Sequence, residues 1–286
     1  INSTEVIHIT MSNFIEKKQA DDISNWFRTV CKVKVGDVTA NFPGVLALDY
    51  HTPVSEALGV LEELEIQSVA VCGPAHSFIG AGGVELISEG KQYIGIISIV
   101  DLLAFSLKHE DYMTQKISDA IGSTNESMTL WCEDSHQPLY FALEQFVKGV
   151  HHALVNDSKD SAVPIKYLAQ TDILRFLLED TTALPHLELL LVQPVSVMAT
   201  RSVVPVFLST PLPEAIALLV EHSALPVVNE AGVVVSNLSA SDFKGKSTAT
   251  LRATPGATVQ DLLLHQCMTL MEMHQPLTIS STACLF

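Results

Sequence analysis

The chain has 286 residues and a formal net charge of −16, with 16 Lys and Arg against 32 Asp and Glu. So acidic a chain lacks the basic stripe that a nucleic-acid surface needs, and it is ill matched to an anionic membrane. Although 48% of residues are hydrophobic and the mean hydropathy is +0.31, no uncharged apolar run reaches the roughly 18–20 residues needed to span a bilayer.

The longest apolar candidate, Tyr93 to Leu107, is short and contains Asp101. The apolar excess therefore reads as strands buried on both faces. Cysteines at 31, 72, 132, 267 and 284 are too far apart for a C-x-x-C or zinc spacing and read as reduced thiols. This leads to the expectation of an intracellular location, cytoplasmic or nuclear.

Residues 1–33 form an N-terminal extension in which Phe14, Ile15, Trp26, Phe27 and Val30 are spaced loosely like an amphipathic helix. A first unit spans 34–110. Val45 to Asp49 reads as a strand, and a helix opens at Pro53 with apolar Val54, Ala57, Leu58, Leu61 and Leu64. Proline is favoured in a first helical turn because its φ is already set and its missing N–H costs no bond. Ser68 to Val71 is a second strand. The glycine-rich stretch Gly73–Gly83 lacks the Gly-Lys-Ser/Thr ending of a phosphate loop and reads as an insertion between strands. Tyr93 to Ser98 then forms an apolar strand, and Asp101 follows Ser98 by three residues at the head of a helical segment.

A second unit spans 115–181. Ser118 is placed as the cap of a short helix before Gly122, and Trp131 lies in or beside the first strand. A helix opens at Pro138, a strand carries His151 and His152, and a polar loop runs from Asn156 to Pro164. Asp172 occupies the position of Asp101, but Ala169 stands where Ser98 stood. An apolar linker covers 182–193. The third unit, 194–246, has a strand at Val203–Leu208, a helix from Pro211, a strand at Leu225–Val228, a turn at Asn229–Gly232, and then Ser239 and Asp242. A linker at 247–275 holds a helix from Thr258 through Met271. Residues 276–286 read as the start of a fourth unit that stops short, which leaves the pairing face of unit three exposed unless another chain covers it.

The positions Asp101, Asp172 and Asp242 recur at 71 and then 70 residues, and a near-constant period marks an array of like units. Ser and Asp at a strand-to-helix junction accept the helix's free N–H groups. They also place a hydroxyl and a carboxylate where sugar hydroxyls can be bound. Capping alone would account for the pattern without any ligand.

A strand, a Pro-started helix, a strand pair and a closing Ser-x-x-Asp resemble the CBS domain. The string Gly149-Val150-His151-His152-Ala153-Leu154-Val155 is similar to that family's GVHR strand. Several such units in one chain resemble the gamma-type regulatory subunits of SNF1-related and AMP-activated protein kinases, including plant gamma-like relatives. The resemblance implies an α+β fold of tandem βαββα CBS units paired into a Bateman module, with a third unit and the start of a truncated fourth. It implies a non-enzymatic regulatory protein with no required cofactor and no metal, taking AMP, ADP, ATP or S-adenosylmethionine as ligand. By the same resemblance Ser98, Asp101, Asp172, Ser239 and Asp242 would bind ribose, and His151 and His152 would face phosphates. The scarcity of cations, with Lys148, Lys166, Arg175 and Arg201 the few nearby, weighs against ATP and ADP. The implied partners are kinase catalytic or scaffold subunits or another CBS chain, including a second copy, with no nucleic acid and no membrane. The alternative is a CBS scaffold with degenerate ligand sites acting only through protein contacts. No nucleophile with its base is seen, so no catalytic residue is assigned.

Overall fold

The computed structural model describes residues 32–179, 194, 196, 203–245 and 254–270. The readings for 1–31, the linker 182–193, Arg201 and the fourth unit at 276–286 lie outside the described residues. In chain order, a single helical turn, α1 (Val35–Val38), comes first. Copy one runs β1 (Ala47–Asp49), α2 (Val54–Glu63), β2 (Ser68–Pro74), β3 (Leu86–Ser88), β4 (Lys91–Ser98) and α3 (Ile99–Ser106). Copy two runs β5 (Cys132–Asp134), α4 (Tyr140–Val147), β6 (His152–Asn156), β7 (Lys166–Ala169) and α5 (Gln170–Glu179). Copy three runs β8 (Val206–Phe207), α6 (Leu212–His222), β9 (Ala224–Val228) and β10 (Val234–Ser239), and α7 (Val259–Leu270) follows it.

Each copy is built in the same way. Its first strand pairs parallel with its second across a helix, and the second pairs antiparallel with the strand that leads into the closing helix or turn. Parallel neighbours need a crossover, and a helix supplies it. The crossover helices bury the same offsets from their prolines: Val54, Ala57, Leu58 and Leu61 in α2, and Leu212, Ala215, Ile216 and Leu219 in α6. In copy two, Leu139, Ala142 and Phe146 do the same. This is the stripe of an amphipathic helix laid on a sheet.

The structure departs from the sequence reading in several places. The 73–83 insertion continues into an extra strand, so copy one has a four-stranded sheet of order β1-β2-β4-β3. Buried Gln92 pins that insertion: its Nε2 donates to the Phe78 carbonyl at 2.7 Å, and Phe78 N donates to its Oε1 at 3.3 Å. β8 covers only Val206–Phe207, not Val203–Leu208; Pro205 has no N–H to give a ladder. Copy three closes with a 3₁₀ turn, Ala240–Phe243, in place of a helix, and extended Lys244 ends it. Ser118 does not cap: Lys116 stands at the N-cap of the Ile117–Ala120 turn, which has no side-chain cap, and Ser118 lies inside it.

The proline that opens each crossover helix is also held by a strap. Antiparallel bridges join Pro53 to Lys116, Pro138 to Lys34 and Pro211 to Thr258. Around each bridge two backbone bonds recur: Val54 N to Gln115 O (2.9 Å) and Ile117 N to Thr52 O (2.8 Å); Val35 N to Gln137 O (2.9 Å) and Leu139 N to Val33 O (2.7 Å); Leu212 N to Ala257 O (3.0 Å) and Val259 N to Thr210 O (2.9 Å). The first helical N–H groups have no partner within their own helix, so an outside carbonyl takes one.

The chain divides into two compact bodies. Among the described residues, one body, of residues 44–131, 203–245 and 254–270, contains copies one and three. These share a single hydrophobic cluster, with Leu61, Ile97 and Leu102 from copy one and Ile216, Leu219 and Leu238 from copy three. α3 packs on α6 and on the Ala240–Phe243 turn, and nearly all its residues are buried. Copy three is therefore partnered through its helical side, while Phe207, Val233 and Val234 on its strands and turn stay exposed. The other body, of residues 32–43, 132–179, 194 and 196, contains copy two with the strap that includes α1.

Candidate functional site

The three aspartates occupy one local geometry. Ser98 N donates to Asp101 Oδ2 at 2.8 Å, Ala169 N to Asp172 Oδ2 at 2.9 Å, and Ser239 N to Asp242 Oδ2 at 2.6 Å. Sheet register brings the preceding strand to the same spot: Ser68 faces Ser98, His152 faces Ala169 and Ala224 faces Ser239. In each copy the first N–H after the cap then donates to the residue before that partner: Ile99 to Gln67, Gln170 to His151 and Ala240 to Ser223. One end of the inner hairpin thus collects Ser98 and Asp101 in copy one, His151, His152 and Asp172 in copy two, and Ser239 and Asp242 in copy three.

The outward oxygens differ. Asp101 is 1% exposed. Its Oδ2 also accepts Ser98 Oγ at 2.6 Å, and its Oδ1 accepts Thr124 Oγ1 and Ser127 Oγ, each at 2.6 Å. A carboxylate has about four lone-pair sites, and here internal donors fill all of them. Asp172 Oδ1 accepts Arg175 Nη1 at 3.4 Å, and Ala169 offers no hydroxyl. Asp242 is half-buried, and its Oδ2 takes Ser239 Oγ at 3.3 Å. His151 is exposed and His152 half-buried, their rings 6.1 Å apart, with Tyr167 5.5 Å from His152.

Of the expected cations, Arg175 lies on Asp172, and the two lysines are committed elsewhere. Lys148 pairs with Glu144 at 2.6 Å, and Lys166 donates to the carbonyls of Thr39 and Ala40 at 2.6 and 3.0 Å. Lys166 faces Val155, at the far end of the strand pair from Ala169. A cavity of about 290 Å³ lies there, lined by Lys34, Asp37, Ser135, His136, Asp157 and Lys166 among others. Asp157 accepts Lys159 N, Asp160 N, His136 Nε2 and Ser135 Oγ; these bonds, the Lys159 N–H first among them, hold its carboxyl below the usual range. Among the described residues no group of three or more His, Cys, Asp or Glu gathers as a metal would need. No helix among them is long and apolar enough to cross a membrane.

Two groups of residues escaped the sequence reading. Thr258 and Asp261 form a further Thr-x-x-Asp cap, with Thr258 N and Oγ1 both donating to Asp261 Oδ2 at 2.8 Å; the string itself was the signal. Thr124 and Ser127 lie in a polar connection, and nothing in their spacing ties them to Asp101.

Residues 195–246, copy three, match the model of the CBS domain. The chain has an α+β fold, copy three matches the CBS domain, and copies one and two share its order of two parallel strands across a helix and an antiparallel return strand. Its relatives narrow the class: the chain is similar to gamma-type regulatory subunits of SNF1-related kinases. The SNF1-related protein kinase regulatory subunit gamma-like PV42a of Arabidopsis thaliana is 28% identical over 190 residues, covering 57% of this chain and 53% of that protein. The chain thus spans about half the length of that relative. The gamma-like PV42b of the same plant is 23% identical over 267 residues, covering 79% and 74%. A crystal structure from Methanocaldococcus jannaschii, of a protein proposed as an archaeal homologue of g-AMPK, superposes with a TM-score of 0.54 at 18% identity, covering 83% of this chain and 76% of that one. That likeness shows the shared fold.

Proposed function

We propose that this is a regulatory, non-enzymatic CBS protein that binds an adenosine-type nucleotide and passes its occupancy to a partner such as an SNF1-related kinase complex. The observation that carries it is the threefold recurrence of an aspartate at the same hairpin end, with its backbone contact kept in every copy. A carboxylate beside a hydroxyl can receive the two hydroxyls of a ribose. Of the three, Ser239 and Asp242 in copy three combine the hydroxyl with a half-exposed carboxylate. A ligand there would act only through a different affinity for two states of the partnered assembly.

Titration with AMP, ADP, ATP and S-adenosylmethionine, read by calorimetry and thermal unfolding, tests this. Saturable stabilisation following RT ln(1 + [L]/Kd) is expected, and its loss in Asp242→Ala. No response to any of the four removes the nucleotide reading. Co-purification with kinase catalytic or scaffold subunits tests the partner.

A second reading, a scaffold with degenerate ligand sites, is favoured by two observations: Asp101 is saturated by internal donors, and Asp172 lacks its hydroxyl and faces Arg175. Partner capture that is indifferent to every nucleotide would support it.

A further inference from the structure

We propose that the connection from Gly122 to Ser127 is a built-in lock on the copy-one site, with Thr124 and Ser127 standing in for the two hydroxyls of a diol ligand. This rests on the nucleotide reading only for what the lock excludes; the lock itself stands on geometry. Asp101 Oδ1 receives exactly two hydroxyl donors, from residues 23 and 26 positions away, both at 2.6 Å. That length is the one seen when a hydroxyl donates to a carboxylate. Oδ2 faces the helix cap and is consumed by Ser98 N and Oγ, so Oδ1 is the oxygen through which a sugar would have to bind.

The connection is held in place independently of Asp101. Gly122 N donates to Ser127 Oγ at 3.0 Å and Ser127 Oγ lies 3.3 Å from the Thr124 carbonyl. The Trp131 indole N–H donates to the Glu126 carbonyl at 3.2 Å, and Leu130 N donates to the Ala81 carbonyl at 2.9 Å. Gly82 lies so close to Thr129 that a Cβ there would come 2.9 Å from its hydroxyl oxygen. The lock is thus anchored to the 81–83 turn of copy one's insertion. A ligand reaches Asp101 only when this segment opens, and its apparent affinity falls by the fraction of molecules that are open.

The test has a ligand-free and a ligand-bound arm. In the first, Thr124→Val and Asp101→Ala are combined in a double-mutant cycle read by urea unfolding. A lock predicts strong coupling, with the double variant unfolding at nearly the same midpoint as Asp101→Ala alone. Additive shifts overturn the proposal. In the second, AMP is titrated calorimetrically into Asp242→Ala protein, so that copy three is silent, with and without Thr124→Val and Ser127→Ala. Removing the two hydroxyls should tighten AMP binding about tenfold or more, and 2′,3′-dideoxy-AMP should gain nothing. Thr124→Val alone, a change of similar size and shape, should give a smaller gain in the same direction. Equal AMP affinity before and after overturns the proposal. No AMP binding in any variant overturns the lock together with the nucleotide reading for copy one, whereas AMP binding that the two substitutions leave unchanged overturns the lock alone.

Discussion

Glu133 offers the sharpest test of how copy two is built. It lies in the middle of β5, is 2% exposed, and stands in register with Val155. One of its carboxyl oxygens, Oε1, is buried without a hydrogen-bond partner. Burial disfavours the charged form, and the carboxyl is pushed up from 4.5 to about 7. Between these values the folded chain holds a proton that the unfolded chain releases. Stability from this group is therefore fully present below pH 4.5, falls as pH rises, and levels off above about pH 7. At about 1.4 kcal/mol per pH unit the loss amounts to about 3 kcal/mol. Glu133→Gln keeps the shape and removes the charge. Urea unfolding of both proteins from pH 5 to pH 8 should show a small difference at pH 5 and a variant more stable by about 2–3 kcal/mol at pH 8. Other titrating groups cancel in the difference between the two proteins. A difference that does not change with pH would refute the argument, because it would mean that Glu133 is solvated or paired in the folded state.

Three further outcomes follow from named contacts. Ala169→Ser restores the hydroxyl that copy one has at Ser98, where Asp101 N donates to it at 3.2 Å; unfolding should show a gain of about 1 kcal/mol. Leu219→Ala removes a fully buried side chain from the cluster that copies one and three share; a loss of about 3 kcal/mol is expected, together with faster amide exchange in α3 as well as α6. Gly232 holds φ +76° in the turn closed by Asn229 Oδ1, with nothing within 4 Å of an added Cβ. Gly232→Ala should therefore cost only the conformational term, about 1 kcal/mol by urea unfolding, and leave the contacts unchanged.

The repeat was legible because its signals are local. A proline followed by apolar residues at helical spacing, and a Ser three residues before an Asp, each act within one turn of backbone, so sequence order is nearly spatial order. The same locality exposed copy two's defect, Ala169, and the equivalence of Ser68, His152 and Ala224 followed once the strands were aligned. The third strand of copy one was not legible, because Leu86–Ser88 is short and follows a glycine-rich stretch that has no period of two.

The amino-acid order by itself determined the threefold repeat, the opening of the crossover helices at their prolines, and the aspartate that closes back on the strand end in each copy, since these depend on bonds between near neighbours. Only the tertiary structure decided that copies one and three share a core, that Glu133 is buried with an unpartnered oxygen, and that Thr124 and Ser127 reach Asp101. Those outcomes depend on side chains far apart in the chain whose meeting leaves no periodic trace. A serine in a polar connection reads the same whether it faces water or a buried carboxylate.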